Sequence, residues 1–288
     1  MFSTTVQPRR YDSGAFDLRD GRRRMDGAAV AARRMVPGET REGIARGLLR
    51  TGGRVRKLLR LLSRREFRRG LRLGVAASVE SLPVLRGLPV ATVVDVGANV
   101  GQFSLLMTAL CPDAAIHAFE PHDGSAKLFA RLFADAPRVS LHRCAVGAEE
   151  CQGVLHVSRR ADNSSLLPIG AAQLRFAPGT DAVAAVEVPV RTLDSVLPAA
   201  LSRPVLLKLD VQGGELAALK GAERLLDTVD HVYVEVSFTA LYDGQPLAYA
   251  VVAHLHARGF RLTGIGGLAR TRDGRIVQAD LLLSRGQP

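Results

Sequence analysis

Thr92-Val-Val-Asp95-Val-Gly97-Ala-Asn99-Val-Gly101-Gln-Phe103-Ser104 carries an apolar, β-branched run straight into a glycine turn and then into a helical pattern. A strand of Val and Thr suits the interior of a parallel sheet, buried on both faces. Glycines in the turn let the backbone approach a bound ligand closely. The helix that follows offers unpaired N–H groups and positive potential at its start. These features together read as a cofactor loop at the end of a first strand.

The chemistry of the loop narrows the cofactor. A dinucleotide fingerprint needs G-x-G-x-x-G, but Asn99 stands where the middle glycine belongs, and Asp95 lies two residues before Gly97. The alternative spacing [Asp/Glu]-x-Gly-x-x-x-Gly is that of S-adenosylmethionine sites, and Asp95, Gly97 and Gly101 meet it. In such a site Asp95 is expected to reach toward the cationic methionine end. The next apolar run, Ala115-Ile-His-Ala-Phe119, ends at Glu120, 19 residues after Gly101. A carboxylate at the tip of the neighbouring strand accepts hydrogen bonds from both ribose hydroxyls of an adenosine cofactor. Asn99, Phe103 and Pro121 complete the candidate cofactor set.

Outward from the loop, short apolar runs recur at Val139–His142, Val205–Asp210 and His231–Val236, with helical stretches at Gln102–Leu110, Ser125–Ala134 and Gly214–Leu226. That rhythm predicts an α/β, doubly wound, mostly parallel sheet. Gly259–Ile265 and Ile276–Ser284 read as two late strands, the second antiparallel through a turn near Asp273-Gly274. Residues 153–191 break the rhythm and read as a two-stranded insertion, Gly153–Ser158 and Val186–Arg191, around a polar loop that either lids the site or decorates the surface.

Composition bounds the rest. At 288 residues, 47% hydrophobic and 23% charged, the chain is long enough for a substantial core and unlike a disordered or collagenous sequence. Three cysteines without a C-x-x-C spacing argue against a disulfide framework and a structural zinc site, and a reducing cytoplasm is the expected compartment. No apolar stretch reaches a membrane-spanning length, and the first thirty residues lack the apolar centre of a secretory leader. The net charge of +11 is unevenly placed: residues 1–74 hold 20 Lys and Arg against 7 Asp and Glu, a net of +13, whereas residues 75–288 hold 19 against 21, a net of −2. The expected organisation is therefore a disordered basic arm over 1–43, a basic amphipathic helix over 44–74, and a catalytic domain over 75–288. Leu48, Leu49, Val55, Leu58, Leu59, Leu62 and Phe67 form the apolar stripe of that helix, which either packs on the domain or touches anionic lipid or RNA.

Several blocks resemble the FkbM-type S-adenosylmethionine-dependent methyltransferases: Asp95-Val-Gly-Ala-Asn-Val-Gly-Gln-Phe103, Ala118-Phe-Glu-Pro121, Asn163-Ser-Ser-Leu166, Val190-Arg-Thr-Leu-Asp194, Leu207-Lys-Leu-Asp-Val-Gln-Gly-Gly-Glu215, and Glu235-Val-Ser-Phe238 with Leu241-Tyr242. The resemblance spans about residues 65–285 in order and leaves the basic arm aside. It implies a Rossmann-like class I fold and O-methylation of a small molecule or glycan, with sugars, glycolipids or polyketides as typical acceptors.

In Val205-Leu-Leu-Lys-Leu-Asp210, alternation puts Lys208 and Asp210 on one face, with Asp210 at the carboxyl end where α/β sheets bind ligands. Methyl transfer to a hydroxyl needs an aligned acceptor that can lose a proton. Asp210, Glu215 and Glu235 are the carboxylates placed to take it, and Lys208 is expected to pair with one of them or with the cofactor carboxylate. A divalent metal is left undecided, since no dense cluster of oxygen ligands is visible. An RNA-binding or RNA-modifying role through the basic arm is the alternative from another class, disfavoured by the domain's net of −2 and by only 4 Tyr, 10 Phe and no Trp. An NAD-dependent oxidoreductase is the third reading. Acceptor identity and oligomeric state are not encoded in these patterns.

Overall fold

The computed structural model describes residues 61, 62 and 64–286. The expected disordered arm over 1–43 and most of the basic segment over 44–74, with its possible membrane or RNA contact, lie outside the described residues. Ten strands follow in chain order: β1 (Thr92–Val96), β2 (Ala115–Phe119), β3 (Val139–His142), β4 (Ala145–Val146), β5 (Cys151–Ser158), β6 (Ala182–Arg191), β7 (Val205–Leu209), β8 (His231–Ser237), β9 (Phe260–Arg270) and β10 (Ile276–Arg285). Seven of them form one sheet in the order β3-β2-β1-β7-β8-β10-β9. All run parallel except β10, which is antiparallel to both neighbours. This is the Rossmann-like class I methyltransferase architecture, late antiparallel strand included.

The central strands β1 and β7 are buried at every residue, which is why their sequences are continuous apolar runs rather than alternating ones. Their side chains divide between two cores. Val94, Val96, Leu207 and Leu209 enter one, and Val93 and Leu206 enter the other, beneath the helix Gln102–Leu110. Asp95 and Lys208 are register partners on that second face. The order of the sheet reverses between β1 and β7, so the helices after these two strands leave on opposite sides and open a crevice at the strands' carboxyl ends.

The N-terminal helix Arg65–Arg72 closes the second core, with Phe67 2% exposed and Gly70 buried. A Cβ on Gly70 would overlap the Leu105 side chain, so glycine lets the two helices touch. Two elements differ from expectation. The helix expected over Gly214–Leu226 is two short ones, Glu215–Lys220 and Glu223–Leu226. Gly221 between them lies against the backbone of Gly147, where a Cβ would overlap the Gly147 carbonyl. The insertion is also larger than a hairpin: β6 starts at Ala182, and β4 adds a third strand to give the order β4-β6-β5. Between β5 and β6 the chain forms a single 3-10 turn, Ala161–Asn163, and the helix Ala171–Phe176.

Candidate active site

A cavity of ≈ 460 Å³ opens at the carboxyl ends of β1, β2, β7 and β8. That size lies in the usual range of small-molecule and cofactor sites, roughly 300–1,000 Å³. Its floor is the loop after β1, and its walls come from Glu120, from Asp210 and Gln212, and from β8 and β10. The segment Ala76–Ser81 and the insertion's Arg160–Leu166 and Gln173–Pro178 also line it.

After β1, the loop turns through left-handed backbone at Gly97 (φ +77°), Asn99 (φ +48°) and Gly101 (φ +96°). The two glycines have tertiary reasons that the sequence does not show. A Cβ on Gly97 would overlap the Asp210 carbonyl oxygen, and one on Gly101 would sit 2.7 Å from the Phe133 ring and 3.0 Å from Phe129. Gly97 thus lets the ends of β1 and β7 meet, and Gly101 lets two helices meet. Gly101 is not in the cavity wall, whereas Gly97 and Asn99 are.

Glu120 is 7% exposed and lines the cavity. Its Oε2 accepts the Asn99 N–H at 2.8 Å and its Oε1 accepts the His122 N–H at 2.7 Å. Burial pushes its pKa up to about 7, against the pull of those N–H groups and of Lys208. Phe103 and Pro121 line the same wall, with the Phe103 ring stacked 5.8 Å from Tyr233.

Asp95 is placed otherwise than expected. It is fully buried and outside the cavity wall, accepting a 2.7 Å hydrogen bond from Ser104 Oγ and pairing with Lys208 Nζ at 3.0 Å. Asp95 lies on the second sheet face beneath the helix carrying Ser104, while its register partner Lys208 reaches the cavity. Lys208 likewise has Asp95, rather than a carboxylate further along the chain, as its close partner. Its Nζ also donates to the carbonyls of Gly97 at 2.8 Å and Val96 at 3.3 Å, and lies 3.9 Å from Asp210. Burial opposes the ammonium charge, but Asp95 and Asp210 outweigh it and raise the pKa. Lys208 thereby ties the glycine loop to the strand that carries Asp210.

The structure brings Asp210 and Glu235 together and leaves Glu215 out. Gln212 Nε2 donates to Asp210 Oδ1 at 2.7 Å and to Glu235 Oε2 at 3.1 Å. Glu215 is 3% exposed and turns away from the cavity, where it accepts the N–H groups of Val211 at 3.2 Å and Gly213 at 3.0 Å. It holds the turn that presents Asp210 and Gln212 and is not placed to take an acceptor's proton. Burial brings its pKa to about 7. Burial, Asp210 and Asp280 raise that of Glu235 well above the carboxylate range.

Several cavity residues escaped the sequence reading. Asp280 faces Glu235 across the β8–β10 register, with burial the first cause of a pKa near 7. Gln278 Nε2 donates to Glu235 Oε2 at 2.8 Å. No local pattern marks either residue; only antiparallel pairing with β8 brings them in. Tyr242 was visible as part of a motif, and its Oη lies 2.8 Å from Gln212 Oε1 and 3.1 Å from the Asn163 carbonyl. The polar loop Asp162–Ser165, whose position relative to the site was open, lines the cavity, with Ser165 Oγ donating to the Gln212 carbonyl at 2.8 Å. Among the described residues no group of three or more His, Cys, Asp and Glu could hold a metal ion, and no helix is long and apolar enough to cross a membrane.

The profile of the FkbM methyltransferase domain matches residues 95–262, more than half of the chain. Over 158 residues the chain is 30% identical to Methyltransferase 1 of Beauveria bassiana (strain ARSEF 2860), a match that takes in 50% of this chain and 64% of that protein. The chain therefore spans less than two thirds of that relative's length. Among solved structures it is similar to precorrin-6y C5,15-methyltransferase from Geobacter metallireducens GS-15, at 15% identity over 72% of this chain and 86% of the other, with a TM-score of 0.40. It is also similar to an rRNA methylase from Streptococcus thermophilus, at 14% identity over 69% of this chain and 88% of the other, with a TM-score of 0.39.

Proposed function

The chain belongs to the FkbM methyltransferase domain family, and from that premise we propose that it is an S-adenosylmethionine-dependent O-methyltransferase acting on a hydroxyl of a small molecule or glycan. One observation carries the reading beyond the family. One cavity at the sheet's switch point is lined by Glu120 from the end of β2 and by Asp210 and Glu235 from the end of β7 and from β8, which supports a ribose-binding carboxylate and an acceptor-facing carboxylate in the same site.

The residues fit the cofactor. Each Glu120 oxygen accepts one backbone N–H, which holds the group still and leaves lone pairs for two hydroxyl donors. When bound, S-adenosylmethionine supplies a methyl group on a sulfonium, whose transfer forms an O–C bond, breaks an S–C bond and releases the hydroxyl proton. Asn99 and Glu120 would orient the nucleoside end, Phe103 and Pro121 would exclude water beside it, and Asp210 would accept or orient the acceptor's proton. Because an alcohol is a weak nucleophile near neutral pH, alignment by these groups matters more than full deprotonation before attack.

Calorimetry with S-adenosylmethionine, with NAD as the comparison, tests the cofactor assignment: heat from NAD alone would overturn it. A methyl-transfer screen with labelled cofactor against sugars, glycolipids and polyketides tests the acceptor class.

A further inference from the structure

We propose that Gln212 is a positioning residue whose side-chain amide clamps Asp210 and Glu235 together at one wall of the cavity and leaves Oε1 of Glu235 as the atom that carries its exchangeable proton. The inference rests on the methyl-transfer reading of this site and adds a residue and an atom to it.

Two carboxylates at one site repel, and one of them is driven to hold a proton unless something lies between them. An amide NH₂ has two hydrogens and no charge. Gln212 uses one on each partner, at 2.7 Å to Asp210 Oδ1 and 3.1 Å to Glu235 Oε2. The amide cannot be turned over, because its oxygen would then face two carboxylate oxygens; in the observed orientation Oε1 instead meets the Tyr242 hydroxyl at 2.8 Å. The clamp is held from the backbone as well. Gln212 sits in left-handed conformation (φ +53°), its carbonyl accepts Ser165 Oγ at 2.8 Å, and Glu215 secures the N–H groups on either side.

The second amide, Gln278, donates to the same Oε2 of Glu235 at 2.8 Å. Both donors converge on one oxygen, and among the described residues Oε1 accepts no hydrogen bond. A lysine at position 212 would cancel one charge of the pair, and a glutamate would add a third repelling charge. Glutamine alone of the three orders both carboxyls without changing the charge of the site. The surrounding charges make the neutral clamp consequential. Lys208, 3.9 Å from Asp210, is already paired with Asp95, and Arg160, which also lines the cavity, pairs with Asp162 at 3.3 Å. Against them stand Asp280 and Glu215 beside Glu235, Glu80 beside Asp280, and Asp162 beside Tyr242, while the Tyr233 hydroxyl bonds Asp280 and lowers its pKa.

The test is a ¹³C NMR titration of the Glu235 side-chain carboxyl in the full chain, assigned with Glu235→Gln. Gln212→Met removes both N–H donors without adding a charge, so Glu235 is expected to titrate higher by about one unit or more. Tyr242→Phe removes only the group that orients the amide, and a smaller upward shift is expected; this second variant keeps the test decisive should Gln212→Met fail to fold. An unchanged or lowered Glu235 midpoint in whichever variants fold overturns the clamp. Calorimetry on the wild-type protein with S-adenosylmethionine separates the two levels: no heat there defeats the methyl-transfer reading, while the titration still judges Gln212.

Discussion

Glu120 and Asp210 line one cavity from the ends of different strands, and their substitutions should separate binding from chemistry. Glu120→Ala removes two charge-assisted hydrogen bonds to the proposed ribose, a loss of roughly 2–4 kcal/mol in cofactor affinity. Because the Glu120 pKa lies at about 7 in the absence of ligand, and hydroxyl donors favour its charged form, cofactor binding should tighten as pH rises through that value. Calorimetry at several pH values checks both points, and affinity that is flat or weakens between pH 6 and 8 would contradict the ribose role. Asp210→Asn keeps the size but removes the charge. It should lower kcat by ~10²- to 10⁴-fold while sparing the cofactor Kd. Full activity would shift the proton-accepting role to Glu235, and loss of cofactor binding would recast Asp210 as a cofactor ligand.

The elements around the site impose constraints of a different kind. Gly101 starts the helix Gln102–Leu110 in left-handed backbone, and its missing side chain faces the rings of Phe129 and Phe133 rather than the cavity. Gly101→Val should therefore act through the fold, costing on the order of 2 kcal/mol or more from backbone strain and overpacking. A lowered melting temperature is the expected signature; wild-type stability combined with lost cofactor affinity would restore the view of Gly101 as a ligand-approach residue. The helix Arg65–Arg72 is held by Phe67, and Phe67→Ala should cost about 3–5 kcal/mol. Deletion through residue 74 should be at least as damaging, whereas deletion of residues 1–43 should leave the melt and cofactor affinity intact. A melting curve for each protein decides the boundary.

At the scale of the whole molecule, two sets of groups act on the pH dependence of stability in opposite senses: the buried carboxyls collected at the site, and His117, His142, His231 and His254, whose pKa partial burial lowers. Glu120, Glu215 and Asp280 have pKa values of about 7 in the fold, against ordinary values of 4.5, 4.5 and 3.8. Between those limits the folded chain holds protons that the unfolded chain has released, so their contribution to stability is greatest below the ordinary values and declines as pH rises through about 7. Carboxylates whose pKa is lowered, such as Asp230 beside Arg203, act in the opposite sense but only at pH below about 4. Relative to the wild type, Glu215→Gln should raise the melting temperature at pH 8 more than at pH 5, and an unchanged difference between the two pH values would refute the buried placement of Glu215.

What the residues alone determined is local and periodic. Continuous Val and Leu runs of strand length suit strands buried on both faces, and a strand running into Gly97 and Gly101 turns there, so the sheet, the glycine loop and the position of Glu120 at the tip of β2 were all legible. Asp210 and Glu235 were legible too, as carboxylates at or near strand ends. Partnership was not, because it depends on register between strands far apart in the chain. The parallel pairing of β1 with β7 sets Asp95 against Lys208 and withdraws it from the cavity. The antiparallel pairing of β8 with β10 delivers Asp280 and Gln278 to Glu235. Glu215 has the same side chain as Glu235, yet it turns inward, because two backbone N–H groups of the preceding turn have no other partner nearby and capture it. Side-chain type is a property of the sequence, but whether a carboxylate caps a turn, pairs with a lysine or faces a cavity is decided only by which unpaired donors the fold brings within about 3 Å of it.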